Sequence, residues 1–573
     1  MSSSNAHTDP SSSEVGDEQD PVPGPPPRRG LLAFDLLVML VALIAFVHRV
    51  NPDTGVRGAL YDAALVQALS SGQEAMNPVF AGELTTSPPT VARFAARLSG
   101  WLGLDALHAL ELVALLSAAL FVLALSAVGR RVYRSGAAGR LAVWLAVAGA
   151  FAQGPLVYLW RLRSWGAPQG DGSALFQIIH PRVRYMRIWD GYVEAGPLIQ
   201  EWFTVGARPF AMAMLAMWLW TWRAYLDATL KEVRVVLLQL LFLVSGFGVA
   251  AAPVLVGPAL VACGPLLVLL HRKKPGEGRG RAALALLVTL LGVGAGVGRE
   301  FHSIERLAEA FAWHPAHVAW VQGLRMLESG GLLLVLALLG VWSARGLARG
   351  WASSLFGAGL ILCGLCAWVQ LPERGEVELF HAALILWSGS AVAWCVPHEG
   401  GRLRRGPLLV CLLAFAAPFG IVVVSHFFGR PATFASEDGK VVLADQTAPE
   451  GRLVRWITAN TTPGAVFVLP PSARDRVDGR TTAFPLLTRR ALFTETLAHP
   501  NVAYADDAQL RHWIAQDAIA GRPLGVEGDA YLASLGHEVW IVSEEDEESL
   551  ARLTEAYGPP AYREAQLVVF RWR

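Results

Sequence analysis

The chain has 573 residues, of which 53% are hydrophobic and 17% charged, with a formal net charge of +1 at pH 7. A water-soluble globule cannot bury this much apolar surface, so the composition excludes a single soluble domain and indicates a helical protein that spans the lipid bilayer many times. The net charge gives no field that would attract a polyanion, and we expect no nucleic-acid partner. The five cysteines all lie in apolar segments, so they predict neither a disulfide framework nor a zinc site.

Residues 1–30 are rich in Ser, Pro and Gly and lack apolar periodicity, which predicts a disordered cytoplasmic tail. Arg28 and Arg29 precede the first apolar span at 31–48. This span has neither the position nor the small-residue site of a cleavable signal peptide. We therefore interpret it as a retained anchor with the N-terminus inside.

The polar interval 49–104 follows the first span and opens with Asn51-Pro-Asp53-Thr-Gly55, which puts a carboxylate within a few residues of the membrane. Two runs with apolar residues at helical spacing, 58–69 and 91–102, predict two short interfacial helices, and Asp62 lies in the first. A plain connector between two spans needs neither helices nor a membrane-proximal acid. The interval is therefore the first candidate for a functional loop.

Segments long enough to cross the hydrocarbon core continue along residues 31–429. The candidates are 31–48, 105–128, 141–160, 206–222, 235–251, 256–270, 282–298, 330–344, 351–370, 379–396 and 407–427, which gives about eleven transmembrane helices. Basic clusters fall after every second span, at 130–134, 223–234, 271–274, 345–349 and 402–405. This alternation places them on the cytoplasmic side, and the segment from about residue 430 outside.

Two further outer loops, 161–205 and 299–329, carry polar side chains. The first combines basic and aromatic residues: His180, Arg182, Arg184, Arg187 and Trp189. Guanidinium groups bind phosphate through paired hydrogen bonds, so this loop predicts a site for an anion or a sugar phosphate, although anchoring to lipid headgroups would use the same residues. In the second loop, Pro315 between His314 and His317 favours an interfacial pair over a metal site.

The segment 430–573 predicts a small extracytoplasmic α/β domain. Helical patterns at 452–457, 508–519 and 544–557 alternate with strand patterns at 465–469, 491–494, 538–543 and 566–570. Its acidic run at 544–548 is most simply a favourable helix N-terminus. We therefore expect the domain to support substrate access without supplying a catalytic base.

Several stretches are similar to a known superfamily. They are Asn77-Pro-Val-Phe-Ala-Gly82-Glu83, Leu98-Ser-Gly-Trp-Leu-Gly-Leu104, Trp456-Ile-x-x-Asn-Thr-Thr-Pro-Gly464 and Tyr557-Gly-Pro-Pro-x-Tyr562. With the predicted topology, they resemble the GT-C superfamily of polytopic membrane glycosyltransferases, and most closely its uncharacterised bacterial members. The resemblance implies a bacterial cytoplasmic (inner) membrane protein that transfers a sugar from a polyprenyl-phosphate donor to an extracytoplasmic acceptor. It also implies an acid in the first outer loop as general base or metal ligand; Asp53 matches that position best and Asp62 second.

The first loop departs from the superfamily pattern because it lacks the paired acids common there. A base needs one positioned carboxylate whereas a divalent metal usually needs more ligands, so a metal-independent transferase fits this loop better than a metal-dependent one. We expect no cofactor; a divalent metal stays open as an alternative that these residues do not support. Asp53 could instead form an Asx-turn, because its neighbours are turn formers. A non-catalytic GT-C-like scaffold in envelope assembly therefore stays open, and so does a transporter, although the spans contain few ionisable residues.

Overall fold

The computed structural model describes residues 56–72, 77–79, 81–82, 90–149, 208–226, 312–370, 375–413, 449–469, 483–494, 507–544, 547–564 and 567–572, and single residues at 234, 287 and 291. The membrane part begins with α1 (Val56–Ser70) and α2 (Thr90–Leu102). The longer helices that follow are α3 (Ala106–Tyr133), α4 (Gly136–Gly149), α5 (Arg208–Leu226), α6 (Ala316–Ser343), α7 (Gly346–Trp368) and α8 (Gly375–Cys395), with a short α9 (Arg405–Cys411) after them. The two-residue strands β1 (Ala312–Trp313) and β2 (Val369–Gln370) pair antiparallel.

The C-terminal part holds five helices and five strands in the described ranges. The helices are α10 (Pro449–Asn460), α11 (Ala483–Thr488), α12 (Ala508–Ile519), α13 (Gly525–Ser534) and α14 (Glu547–Tyr557). The strands are β3 (Val466–Val468), β4 (Ala491–Leu492), β5 (Val539–Glu544), β6 (Tyr562–Glu564) and β7 (Leu567–Arg571). They form one sheet in the order β4-β3-β5-β7-β6, parallel across β4, β3 and β5 and antiparallel at β7 and β6.

The apolar runs of the sequence form a helical bundle in which small residues let neighbouring backbones approach. Among the described helices, α3 and the part of α7 from Ala348 are long and apolar enough to cross a membrane. Gly330 of α6 and Gly359 of α7 both face the Trp387 ring of α8, and the Trp387 indole donates to the carbonyl of Phe356 (3.3 Å). Of the predicted spans, five are helical over most of their length: 105–128, 206–222, 330–344, 351–370 and 379–396. The spans at 141–160 and 407–427 are helical in their first part and continue into residues outside the described ranges.

The predicted spans at 31–48, 235–251, 256–270 and 282–298 lie wholly or almost wholly outside the described residues, so the count of about eleven stays a prediction. The predicted outer loop 299–329 is helical from Ala316 onward, because α6 extends beyond its apolar part. The helix kinks at Gly331, whose φ of 42° is open to glycine and costly for other residues. Pro315 precedes its first turn, where a missing N–H costs nothing.

Basic residues from the predicted clusters that fall on described residues meet at one end of the bundle. Glu399, in the connection after α8, pairs with Arg134 at the end of α3 (3.3 Å) and with the buried Arg223 near the end of α5 (3.2 Å). Backbone hydrogen bonds tie the same connection to Tyr133 and Arg345. The other end of α3 begins at Asp105, whose carboxylate caps the helix by accepting from the His108 N–H (3.0 Å). The C-terminal part lies at this second end, where Leu486 packs with the first turns of α3.

Candidate functional site at the outer loop and the C-terminal sheet

Helix α1 is held between two apolar cores. Tyr61 packs into the core under the C-terminal sheet, beside Phe467 and Trp540. Ala63, Ala64, Leu65 and Val66 are buried in a second core with α2, the first turns of α3 and Leu486 of α11. Asp62, the second candidate for the acid of the first outer loop, lies between these buried positions and is itself half-buried. A carboxylate on a helix fixed on both sides has the rigid support that a catalytic group needs.

The segment after α1 adds to the edge of the C-terminal sheet. The Leu492 N–H of β4 donates to the carbonyl of Pro78 (2.9 Å), and the carbonyl of Leu492 accepts from the Ala81 N–H (2.8 Å). Val79 and Ala81 are both buried, in the cores on either side of the sheet. The first outer loop therefore contributes part of the core of the C-terminal α/β structure.

A buried arginine, Arg511, bridges the first outer loop and the C-terminal sheet. The guanidinium of Arg511 on α12 donates to the carbonyls of Ala81 (2.8 Å) and Phe493 (3.0 Å), and its Nε pairs with Asp507 (3.2 Å). It lies against the rings of Phe493 (5.5 Å) and Tyr531 (5.3 Å), and its side chain is only 2% exposed. A cation this deeply buried is stable only when its donors are satisfied, and here they hold the loop to the sheet.

A second contact joins α11 to α1. With its amide oriented to satisfy both neighbours, Gln67 donates to the carbonyl of Leu486 (2.7 Å) and accepts from Nε of Arg489 (2.9 Å). Leu486 and the half-buried Leu487 pack against the core formed by α1, α2 and the start of α3. The C-terminal part therefore sits on the outer loop and at the N-terminal end of the long helix α3.

Exposed aromatic side chains mark the same end of the bundle. Trp101 lies near the end of α2, five residues before Ala106 at the start of α3, and is 76% exposed. Trp313 of β1 and Trp368, which directly precedes β2, are also exposed, and the His314 N–H donates to the carbonyl of Trp368 (2.9 Å). Tryptophan is enriched where a membrane meets water, so these positions indicate one interface level. The exposed Trp342, at the far end of α6, indicates the other.

Of the predicted site residues, the structure places Asp62. Asp53 and the loop residues His180, Arg182, Arg184, Arg187 and Trp189 lie outside the described residues. No group of three or more His, Cys, Asp or Glu side chains that could hold a metal ion occurs within the described ranges. Of the two histidines considered above, His317 is exposed and His314 is half-buried with its pKa lowered by burial. No role was predicted for Gln67, Arg489 or Arg511. The one local feature that could have pointed to Arg489 is the pair Arg489-Arg490 shortly after the apolar stretch Phe484-Pro-Leu-Leu487.

No protein-family model matches the sequence, and no curated protein sequence matches it significantly. Solved structures do match. ArnT from Cupriavidus metallidurans bound to undecaprenyl phosphate aligns over 95% of this chain and 98% of its own, with a TM-score of 0.51 and 12% identity. The apo state of the same protein gives 0.50 and 14% over the same shares of the two chains. ArnT is a GT-C glycosyltransferase.

The chain has the GT-C fold. This confirms the resemblance drawn from the first outer loop and the C-terminal motifs, at the level of fold. A GT-C fold is a helical membrane fold, so the chain is a membrane protein, as its composition predicts. The contacts of Pro78, Ala81 and Leu492 show how this chain joins the outer loop of that fold to its C-terminal sheet.

Proposed function

We propose that the chain is an integral membrane glycosyltransferase that moves a sugar from a polyprenyl-phosphate donor to an extracytoplasmic acceptor. The observation that carries the proposal is the likeness to ArnT over nearly the whole of both chains, since that protein was crystallised with undecaprenyl phosphate. A likeness restricted to the spans would fit any helical bundle. Here it covers 95% of the chain and so includes both the outer loop and most of the C-terminal part that packs on it.

The proposed base is Asp53. A neutral acceptor hydroxyl is a poor nucleophile, and a carboxylate that takes its proton as the sugar leaves raises the rate by about 10²- to 10⁴-fold. Asp62, on the helix that follows within the same loop, is the second candidate. Arg182, Arg184 and Arg187 would stabilise the charge that develops on the leaving phosphate, with His180 and Trp189 beside them in sequence. No step of this scheme requires a metal ion.

Asp53→Asn tests the role of the base. The change keeps the size and the turn-forming capacity of the side chain but removes its basicity, so we expect normal membrane abundance and a loss of sugar transfer of about 10²-fold or more. Asp62→Asn tests the second candidate from the same loop in parallel. If Asp53→Asn transfers sugar at the wild-type rate, Asp53 is not the base; if Asp62→Asn alone abolishes transfer, the role passes to Asp62.

A non-catalytic GT-C-like scaffold is the second candidate, and the lone acid of the 49–58 segment favours it, since superfamily members commonly pair two acids there. The two functions separate in a complementation experiment. A scaffold tolerates Asp53→Asn and Asp62→Asn together, whereas an enzyme loses its product and accumulates its lipid-linked donor.

The proposed setting is a bacterial cytoplasmic membrane with the N-terminus inside and residues from about 430 outside. It is supported by the ion pairs that gather Arg134 and Arg223 at the bundle end away from the C-terminal sheet, as the positive-inside bias requires. Reporter fusions at Gly276, Gly400 and Gly525 should read inside, inside and outside. A cytoplasmic signal at Gly525 would reverse the proposed orientation.

A further inference from the structure

Two adjacent arginines after α11, Arg489 and Arg490, differ in burial and in hydrogen bonding. Arg490 is 6% exposed, and its guanidinium donates to the hydroxyl (2.9 Å) and the carbonyl (2.7 Å) of Thr461 and to the carbonyl of Thr488 (3.3 Å). These bonds tie the end of α10 to the end of α11, so Arg490 is explained by structure alone. Arg489 is exposed, and no such network surrounds it.

Arg489 adopts a backbone conformation that arginine rarely takes. Its φ is +58°, in the left-handed region where glycine and asparagine are favoured and a β-carbon is strained. The peptide is held there because the Arg489 N–H donates to the carbonyl of Pro485 (2.9 Å), while the carbonyl of Arg489 accepts from Arg490 (3.2 Å). A strained residue that a glycine could replace at lower cost points to a use for its side chain.

The side chain of Arg489 is positioned but only partly engaged. Its Nε donates to the amide oxygen of Gln67 (2.9 Å), and the amide nitrogen of Gln67 donates to the carbonyl of Leu486 (2.7 Å). The two terminal guanidinium nitrogens make no hydrogen bond or ion pair with any residue that the structure describes. Gln67 therefore orients the guanidinium of Arg489 through its Nε. The two terminal nitrogens, which form the fork of the guanidinium, can donate a pair of hydrogen bonds to another acceptor.

The residues just before Arg489 place this fork near the end of the bundle where α3 begins. Leu486 and Leu487, just before it, share a core with Leu104 and with Ala106, Ala109 and Leu110 in the first turns of α3. Gln67 and Asp62 lie five residues apart on α1, or about 7.5 Å along its axis. The fork therefore lies at the level where α3 begins, next to the loop that supplies both candidate acids.

We propose that Arg489 binds the phosphate of the lipid-linked donor through its two terminal nitrogens. This rests on the function proposed above and adds a binding residue from the C-terminal part of the chain, which the sequence analysis regarded only as support. The ligand chemistry is a phosphate anion at the outer membrane surface. Bulk phospholipid headgroups offer the same chemistry, and the experiment separates the two sources.

The test uses the full-length chain in phosphatidylcholine nanodiscs that contain undecaprenyl phosphate, phosphatidylglycerol or neither. Arg489→Gly removes the guanidinium and relieves the positive-φ strain, so we expect an unfolding temperature without ligand that is unchanged or raised. Binding of undecaprenyl phosphate, followed by native mass spectrometry, should weaken about 10- to 100-fold, because two charge-assisted hydrogen bonds are lost. Arg489→Lys keeps the charge without the fork and should fall between.

Arg522→Gln is the matched control, since it removes one exposed charge from the same part of the chain and should leave binding of undecaprenyl phosphate unchanged. Unchanged binding in Arg489→Gly overturns the proposal, and so does a loss confined to phosphatidylglycerol. If the wild-type chain does not bind undecaprenyl phosphate at all, the proposed donor class fails with it. If the wild-type chain binds and Arg489→Gly binds equally, only the role of Arg489 fails.

Discussion

Arg511 is the residue whose loss should most directly separate the outer loop from the C-terminal sheet. In Arg511→Met the apolar stem is replaced by a side chain of similar length, and Met and Arg have nearly equal helix propensity. The change removes both hydrogen bonds to the carbonyls of Ala81 and Phe493 and leaves those carbonyls buried without their donor. It also removes the cation from between two aromatic rings.

The expected cost follows from these contacts. A hydrogen bond from a charged donor contributes about 1.5–3 kcal/mol, and removing one partner of a buried ionic network costs about 3–5 kcal/mol. Part of this cost is offset because Asp507, the ionic partner, is 27% exposed and can be rehydrated. We therefore expect Arg511→Met to lower the free energy of unfolding of the C-terminal part by about 3 kcal/mol.

Urea-dependent pulse proteolysis of the full chain in detergent measures this loss. The matched control is Arg552→Met on α14, another helical arginine with a carboxylate partner, Glu548 (2.9 Å), at a pair that is 47% and 80% exposed. Exposed pairs of this kind contribute about 0–1 kcal/mol. If Arg511→Met costs no more than Arg552→Met, the buried guanidinium does not hold the loop, and the junction depends on its other contacts, the backbone hydrogen bonds to Leu492 and the burial of Val79 and Ala81 among them.

Two further predictions test the packing of the bundle and the C-terminal sheet. A β-carbon at Gly340 would overlap the carbonyl oxygen of Ser390, so Gly340→Ala should destabilise the α6–α8 contact by about 1–3 kcal/mol. Gly357→Ala, whose β-carbon would meet open space, should be neutral or slightly stabilising in thermal unfolding. Equal effects of the two changes would contradict the close approach of these helices. Burial, together with the hydrogen bond to Glu564, raises the pKa of Tyr562 from its ordinary value of 10.0 to about 12, so stability from the neutral phenol is complete below pH 10 and is lost as pH rises toward 12. The tyrosinate absorbance at 295 nm that Tyr562→Phe removes should therefore appear near pH 12, and its appearance near pH 10 would refute this environment.

In the C-terminal sheet, local sequence patterns were sufficient to predict most of the strands. The strands predicted at 465–469, 491–494, 538–543 and 566–570 correspond to β3, β4, β5 and β7, and the helical pattern at 508–519 coincides with α12. Three elements of the C-terminal part, α11, α13 and β6, were not predicted from the sequence. Two of these are short, and α13 contains Gly525 and Gly528, which lower helix propensity. Their formation depends on burial against neighbours, which the local sequence does not display.

The sequence by itself determined the predicted spans that coincide with described helices and the two helices of the outer loop, because apolar periodicity acts over a few turns of chain. Only the tertiary structure decided that the outer loop is bonded to β4 and clamped by Arg511. The hydrogen bond from Arg511 to Ala81 joins residues 430 positions apart. Such a contact leaves no periodicity in either segment, so neither the state of Arg489 nor the support of Asp62 could be read before the chain was folded.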